Sequence, residues 1–437
     1  MNPLATELND IIRNANPHVF DMLSNLGKEM FFPKGILTQS AEAKIKAKKF
    51  NATLGVATEG GHMMALASLM KNLDGLTADE TLNYAPVTGI PELRKAWMEK
   101  DLRDNPSLKG KPMSLPIVTN GLTHGLSILA DLFCEPGDAL LLPDQIWGNY
   151  RLTFCTRRGA EVATYPFYAP EGGFNVEGFR ASLDKLCAER SKAIVLLNFP
   201  NNPTGYSVTK DECAAVSKAL IAAAGKGLKL VVISDDAYYG LFYEENVCTE
   251  SLFSRLAGAH ERLLAVKCDA ATKEVFVWGL RVGFLSFSVG GAANAADSPL
   301  YAALEKKVSG EIRGVMSNCS MLSQRVVLKA LQSPTFYEER QARKEILQSR
   351  ALEVKRVLAD KRFAEAWEPH DFNSGYFMCL NLKKVAAEAL RRHLLEKYGI
   401  GTIATAERDL RIAFSCVEKE NIAELFDTML KAAKEIA

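Results

Sequence analysis

The 437-residue chain contains no apolar run near the ~18 residues a bilayer span needs. It also lacks a block of like charge: 53 Lys and Arg balance 52 Asp and Glu, for a formal net charge of +1. A nucleic-acid tail or a basic membrane-surface patch needs such a block. Neither nucleic acid nor membrane is therefore expected as a partner, and a small molecule is. No Cys-x-x-Cys pair occurs, and the nine cysteines are scattered singly. That points away from a disulfide framework or zinc site and toward reduced thiols packed as small hydrophobes in a cytoplasmic protein. The six histidines show no metal-ligand spacing, so no metal is expected. Residues 1–12 lack the basic start and apolar core of a signal peptide. Internal repeats and low-complexity segments are absent too.

What is present is the composition of an ordinary globular protein, 48% hydrophobic and 24% charged. At ~150 residues per domain, two or three domains are expected. Apolar runs at 115–120, 139–142, 193–197, 228–234, 263–268 and 282–289 are bounded by polar, Gly or Pro residues. Helix-length stretches such as 121–134 and 209–226 separate most of them. Strands alternating with helices predict a mostly parallel α/β sheet covered on both faces. The link at 269–281 is too short for a helical crossover, so the strand after it is expected to run antiparallel. From about 300 the chain turns helical, at 300–332 and 334–360. Strand candidates 376–382 and 410–415 then flank a helix at 387–398, which predicts a smaller α+β domain. The expected division is 1–60 packing with the small domain, 61–315 as the large domain and 316–437 as the small one.

Ligands of parallel α/β sheets bind beyond the carboxyl ends of the strands, so the polar residues after each run matter most. Gly121-Leu122-Thr123-His124-Gly125 can open a helix and offer free N–H groups to a phosphate, although Thr is also a common helix cap. Asn198-Phe199-Pro200-Asn201-Asn202-Pro203-Thr204-Gly205 is a rigid turn. Asp235-Asp236-Ala237-Tyr238 follows the fourth run, where a carboxylate is often just a cap or a salt-bridge partner. Lys273, in Ala271-Thr272-Lys273-Glu274, falls between two apolar runs, and Arg281 stands eight residues on. Each element has a bland reading when taken singly.

Together, the order Tyr84…Gly89, Gly121–Gly125, Trp147, Asn202-Pro203-Thr204-Gly205, Asp235-x-x-Tyr238, Lys273…Arg281 and Arg411 resembles the class I/II aminotransferases of pyridoxal-phosphate fold type I. The likeness is to aspartate aminotransferase, across roughly residues 50–415. It implies pyridoxal 5'-phosphate carried as an imine on Lys273, which then serves as general base. Asp235 would hold the pyridine nitrogen protonated. Asn202 and Tyr238 would bond the phenolic oxygen, and Trp147 would stack on the ring. The phosphate would rest on the N–H groups of Leu122 and Thr123 with Arg281. Tyr84 would reach the phosphate site of a second subunit, which makes a homodimer the expectation. Arg411 would clamp the substrate α-carboxylate, and Gly55 would let the N-terminal segment come close.

Two departures stand out: Ala270 replaces a frequent phosphate-binding serine, and Leu122 replaces a frequent Gly or Ala. Thr272 or a water is the expected substitute for the serine. Arg313 precedes Ser317 and Asn318 by four and five residues, as does the aspartate aminotransferase arginine that binds the distal carboxylate in the partner's site. A solvated helix face at Lys306, Lys307, Glu311 and Arg313 is the alternative. The expected function is amino transfer between an L-amino acid and a 2-oxo acid by a ping-pong route, on dicarboxylic substrates such as aspartate or glutamate if Arg313 is the distal clamp. An alanine or aromatic aminotransferase, or a lyase, racemase or decarboxylase of the same fold, is the alternative. An effector-sensing module is disfavoured, because no basic helix-turn-helix extension is present and Lys273 is intact.

Overall fold

The computed structural model describes residues 1–31, 35–291 and 298–437. Three short strands come first, β1 (Phe50–Asn51), β2 (Thr58–Glu59) and β3 (His62–Met63). The main sheet follows with β4 (Ile117–Thr119), β5 (Ala139–Pro143), β6 (Glu161–Tyr165), β7 (Lys192–Asn198), β8 (Lys229–Asp235), β9 (Leu263–Ala270) and β10 (Gly283–Ser288). Their spatial order is β4-β10-β9-β8-β7-β5-β6. Pairs from β9 to β6 are parallel, and β10 is antiparallel to both β9 and β4. This is the α/β sheet expected from the alternating runs. The reversal at β10 follows from a link that holds one helical turn, Ala271–Glu274.

The central strands are buried on both faces, which suits their Val, Ile and Leu content. Ile194, Leu196, Ile233 and Val266 face one apolar core with Leu126 and Leu129. Val195 and Val232 face a second with Phe179, Val216 and Leu220. Helix Lys210–Gly225 begins with a capping box between Thr209 and Glu212. Strand β6 was not expected from the sequence. It lies at the sheet edge with Glu161 exposed, so it carries no continuous apolar run.

A second, antiparallel sheet is built from β11 (Trp367–Pro369), β12 (Phe377–Leu382), β14 (Ile403–Ala404) and β15 (Asp409–Ala413), in the order β11-β12-β15-β14. Between them, β13 (Ile400–Gly401) pairs in parallel with β1. The N-terminal segment is thus hydrogen-bonded to this smaller unit. Helix Ala387–Tyr398 ends at Gly399, whose φ of 64° closes the last turn. The stretch 300–332 is two helices, Pro299–Val315 and Met321–Leu331. Ser317, with φ of 70°, lies at the break, and Met321–Leu331 packs on helix Pro91–Asp104. No described helix is long and apolar enough to cross a membrane.

Gly205 welds the two units. Its φ is 72°, and its carbonyl accepts from Asn373 N at 3.1 Å and Ser374 N at 2.9 Å. A Cβ there would collide with the Phe377 carbonyl. Gly205→Ala should therefore cost roughly 2–6 kcal/mol, from backbone strain and overpacking together. Urea unfolding measures it, and a loss under about 1 kcal/mol would show that this contact yields easily.

Candidate active site

The strand ends converge. Register places Asn198 beside Asp235 on β7 and β8, and Asp235 beside Cys268 on β9. Beyond β9 comes the turn bearing Lys273. These residues open on one cavity of about 220 Å³, which Arg411 and Phe377 reach from the smaller sheet. Gly55, Leu122, Thr123, Trp147, Asn202, Tyr238 and Arg281 line it as well.

Asp235 is 1% exposed. Its Oδ2 accepts from Tyr150 Oη at 2.6 Å, and its Oδ1 from Ala237 N at 3.0 Å and Asn198 Nδ2 at 3.2 Å. Burial pushes its carboxyl above the usual range, while Tyr150, Ala237 and the Lys273 charge pull it back. Lys273 Nζ stands 4.6 Å from the centre of the Tyr238 ring. Burial pushes its ammonium down to about 8, Arg281 adds to the shift, and Asp235 opposes it. The amine is thus free at a pH where an ordinary lysine stays charged, as a nucleophile or base requires.

At one end of the cavity, helix Leu122–Phe133 begins at Gly121, whose φ is 79°. A Cβ at Gly121 would run into the Arg281 guanidinium, so glycine lets that cation reach the helix start. Arg281 itself holds a left-handed φ of 54°. Thr272 lines the cavity, and its Oγ1 is buried without a hydrogen-bond partner among the described residues. Free N–H groups, a guanidinium and an unpartnered hydroxyl make a cradle for a phosphate. Ala270 caps the Lys273 turn without a side-chain hydrogen bond, and Thr272, two residues on, places a hydroxyl in the cavity.

At the other end, Arg411 is 2% exposed. Its Nη1 donates to Asn202 Oδ1 at 2.9 Å, its Nη2 to Thr53 O at 2.9 Å, and it lies 4.1 Å over the Phe377 ring. Its Nε has no partner among the described residues. A Cβ at Gly55 would stand 3.8 Å from the Tyr238 hydroxyl and 3.9 Å from the Phe377 ring, both ordinary contacts.

Tyr84 and Arg313 stand apart. Tyr84 is 88% exposed, and neither residue lines the cavity. Arg313 Nη1 donates to Ser317 Oγ at 2.6 Å, beside Asn318, whose Nδ2 donates to Ala85 O at 2.8 Å. The two therefore share one outer strip of the large unit. Tyr150 and Asn198 escaped the sequence reading. Their only signals were an aromatic three residues after Trp147 and a polar residue closing an apolar run.

A buried carboxylate, a lysine whose ammonium is held down, a helix start beside a guanidinium and a second, fixed guanidinium thus meet around one cavity, an arrangement able to hold an amine, a carboxylate and a phosphate. The chain matches the model of the family "Aminotransferase class I and II" over residues 55–429. It belongs to that family. The aspartate/prephenate aminotransferase of Thermus thermophilus is 32% identical over 203 residues, covering 46% of this chain and 47% of that protein. A probable aspartate/prephenate aminotransferase of Aquifex aeolicus is 28% identical over 209 residues, covering 46% and 48%. The chain spans about half the length of the curated relatives it matches. Among solved structures, an aminotransferase from Anaerococcus prevotii superposes with a TM-score of 0.81 at 23% identity, covering 95% of this chain and 99% of that one. That likeness shows a shared fold.

Without cofactor, Lys273 should react with an amine-acylating reagent along a curve that rises with pH through about 8. An ordinary lysine follows a midpoint near ~10.4. Peptide mapping against pH reads the curve, and an ordinary midpoint would contradict the buried-amine geometry.

Proposed function

We propose that the protein is a pyridoxal-phosphate-dependent aminotransferase that moves an amino group between an L-amino acid and a 2-oxo acid by a ping-pong route. The observation that carries the reading is the single cavity shared by the Lys273 amine, the buried Asp235 carboxylate and the Arg411 guanidinium. When bound, the cofactor supplies an electron sink that makes the substrate Cα–H acidic. Lys273 would hold the cofactor covalently and, once displaced by substrate, would take the Cα proton on Nζ and return it. Asp235 would keep the ring nitrogen protonated. Its hydrogen bond from Tyr150 favours the ionised carboxylate this needs.

Asn202 and Tyr238 would bond the ring's phenolic oxygen, and Trp147 would cover one face. Leu122 and Thr123 N–H groups, Arg281 and Thr272 would hold the phosphate. Arg411 would clamp the α-carboxylate with its planar fork, while Gly55 leaves space beside it.

Tyr84 and Arg313, exposed and neighbouring, fit residues that enter the cavity of a second copy, so the working form is read as a homodimer; the singly scattered cysteines favour the cytoplasm. Arg313 would then bind a distal carboxylate, which favours aspartate or glutamate. The aspartate specificity named for the relatives agrees with this. A lyase, racemase or decarboxylase would use the same lysine and aspartate.

The loaded protein mixed with one amino acid and no acceptor separates these readings. Transamination turns the cofactor into its amine form and releases one 2-oxo acid per site; a lyase, racemase or decarboxylase releases other products and leaves the cofactor unchanged. Aspartate or glutamate should react fastest. Removing one partner of a desolvated charge pair costs about 2–5 kcal/mol, or roughly 30- to 4000-fold in kcat/KM. Arg313→Ala should lower the dicarboxylic reactions by that factor and leave alanine or phenylalanine nearly unchanged. An equal loss for every substrate, or none, removes Arg313 from the site.

A further inference from the structure

Behind the cavity, the strand ends that carry Asp235 and Lys273 also carry a buried charge network. Asp236, next in the chain to Asp235, lies 3.4 Å from Lys267 Nζ, Asp101 lies 3.2 Å from it, and Asp269 pairs with it too. Glu274, next to Lys273, lies 2.6 Å from Lys100 Nζ and 3.4 Å from Arg340 Nη2. Asp104 closes the group, 3.2 Å from Lys100 and 2.9 Å from Arg340. Glu274 is 2% exposed and Lys100 is 1% exposed, and neither lines the cavity. Charges so deeply buried are expensive unless they are paired. Nothing in the proposed chemistry requires these ion pairs.

Their placement suggests a use. The turn bearing Lys273 spans Ala271–Glu274, and the chain leaves it through Phe276, whose φ is 57°. One helical turn does not support itself, because nucleation costs more than a single hydrogen bond returns. Its position depends on what its ends are tied to. Glu274 ties it to two helices at once, Pro91–Asp104 through Lys100 and Phe336–Leu358 through Arg340. The second helix continues to Arg350, about 15 Å along its axis from Arg340. There Arg350 Nη1 donates to Ser415 O at 2.6 Å, just past the strand that carries Arg411. One rigid rod thus joins the lysine turn to the end of the arginine strand.

We propose that Glu274 is a positioning residue for the reacting lysine: its ion pairs with Lys100 and Arg340 anchor the turn and hold Lys273 Nζ where it can move the substrate's Cα proton. The inference rests on the aminotransferase reading above. Wild-type, Glu274→Gln and Arg340→Lys proteins loaded with pyridoxal phosphate are compared for kcat, KM and the pH midpoint of the bound cofactor's absorbance. Failure of the underlying reading appears in the wild type itself, as absent turnover. With wild-type turnover intact, Glu274→Gln should lose on the order of 10²-fold in kcat, the effect of misplacing a reacting group by about 1 Å. KM for the amino acid should stay within about twofold, because binding is not what the lysine turn supplies. The absorbance midpoint should move, because the lysine nitrogen no longer stands in the same field. Arg340→Lys, which keeps the charge but shortens the reach, should move kcat and midpoint the same way by less. A kcat within about threefold of wild type with an unmoved midpoint overturns the proposal. So does a fall in cofactor content and kcat together without a midpoint shift, which marks general support only. Should Glu274→Gln fail to fold, Arg340→Lys decides by the same criteria.

Discussion

Everything in this site follows from one costly arrangement: a carboxylate buried at the end of β8, with a half-buried amine just beyond β9. Neither charge is stable there alone. A buried ion is tolerated only when it is paired and its remaining lone pairs and protons are satisfied. Asp235 meets that condition with Tyr150, Ala237 and Asn198. Lys273 meets it by giving up its proton more readily than an exposed lysine does, and that weakness is its chemical value. Parallel strands β7, β8 and β9 bring these groups to one edge, and the reversed β10 makes the lysine link short.

The two ends of the cavity are built on different principles. At one end a helix start, a left-handed Arg281 and a glycine that makes way for it concentrate positive charge. At the other end the smaller sheet supplies Arg411, fixed at register with Cys379 and stacked over Phe377. Gly205 and the 373–374 backbone join the units close to the cavity, so the guanidinium and the amine belong to one framework.

Much of this was legible in the sequence where signal is local. Buried strands read as runs of Val, Ile and Leu, and the chemistry sat at their carboxyl ends, because parallel strands leave no other place for it. What was not legible is long-range or faint. Strand β6 lies at an edge, mostly only partly buried, so it has no continuous apolar run to detect. The break at Ser317 interrupts a stretch whose composition stays helical. Tyr150 is an ordinary aromatic until Asp235, far along the chain, folds against it. Lys100, Glu274 and Arg340 come from three separate elements, and no spacing rule links them. Tyr84 and Arg313 were singled out by motif order, but their neighbouring placement on the surface was not, because it depends on Asn318 folding against Ala85.

The central claim is that Lys273, among all the lysines of the chain, carries the cofactor. The protein loaded with pyridoxal phosphate is reduced with borohydride, digested and mapped by mass. The account predicts a single reduced adduct, on the Lys273 peptide. An adduct on another lysine, the buried Lys267 included, or no adduct in a protein that retains bound cofactor, would contradict it.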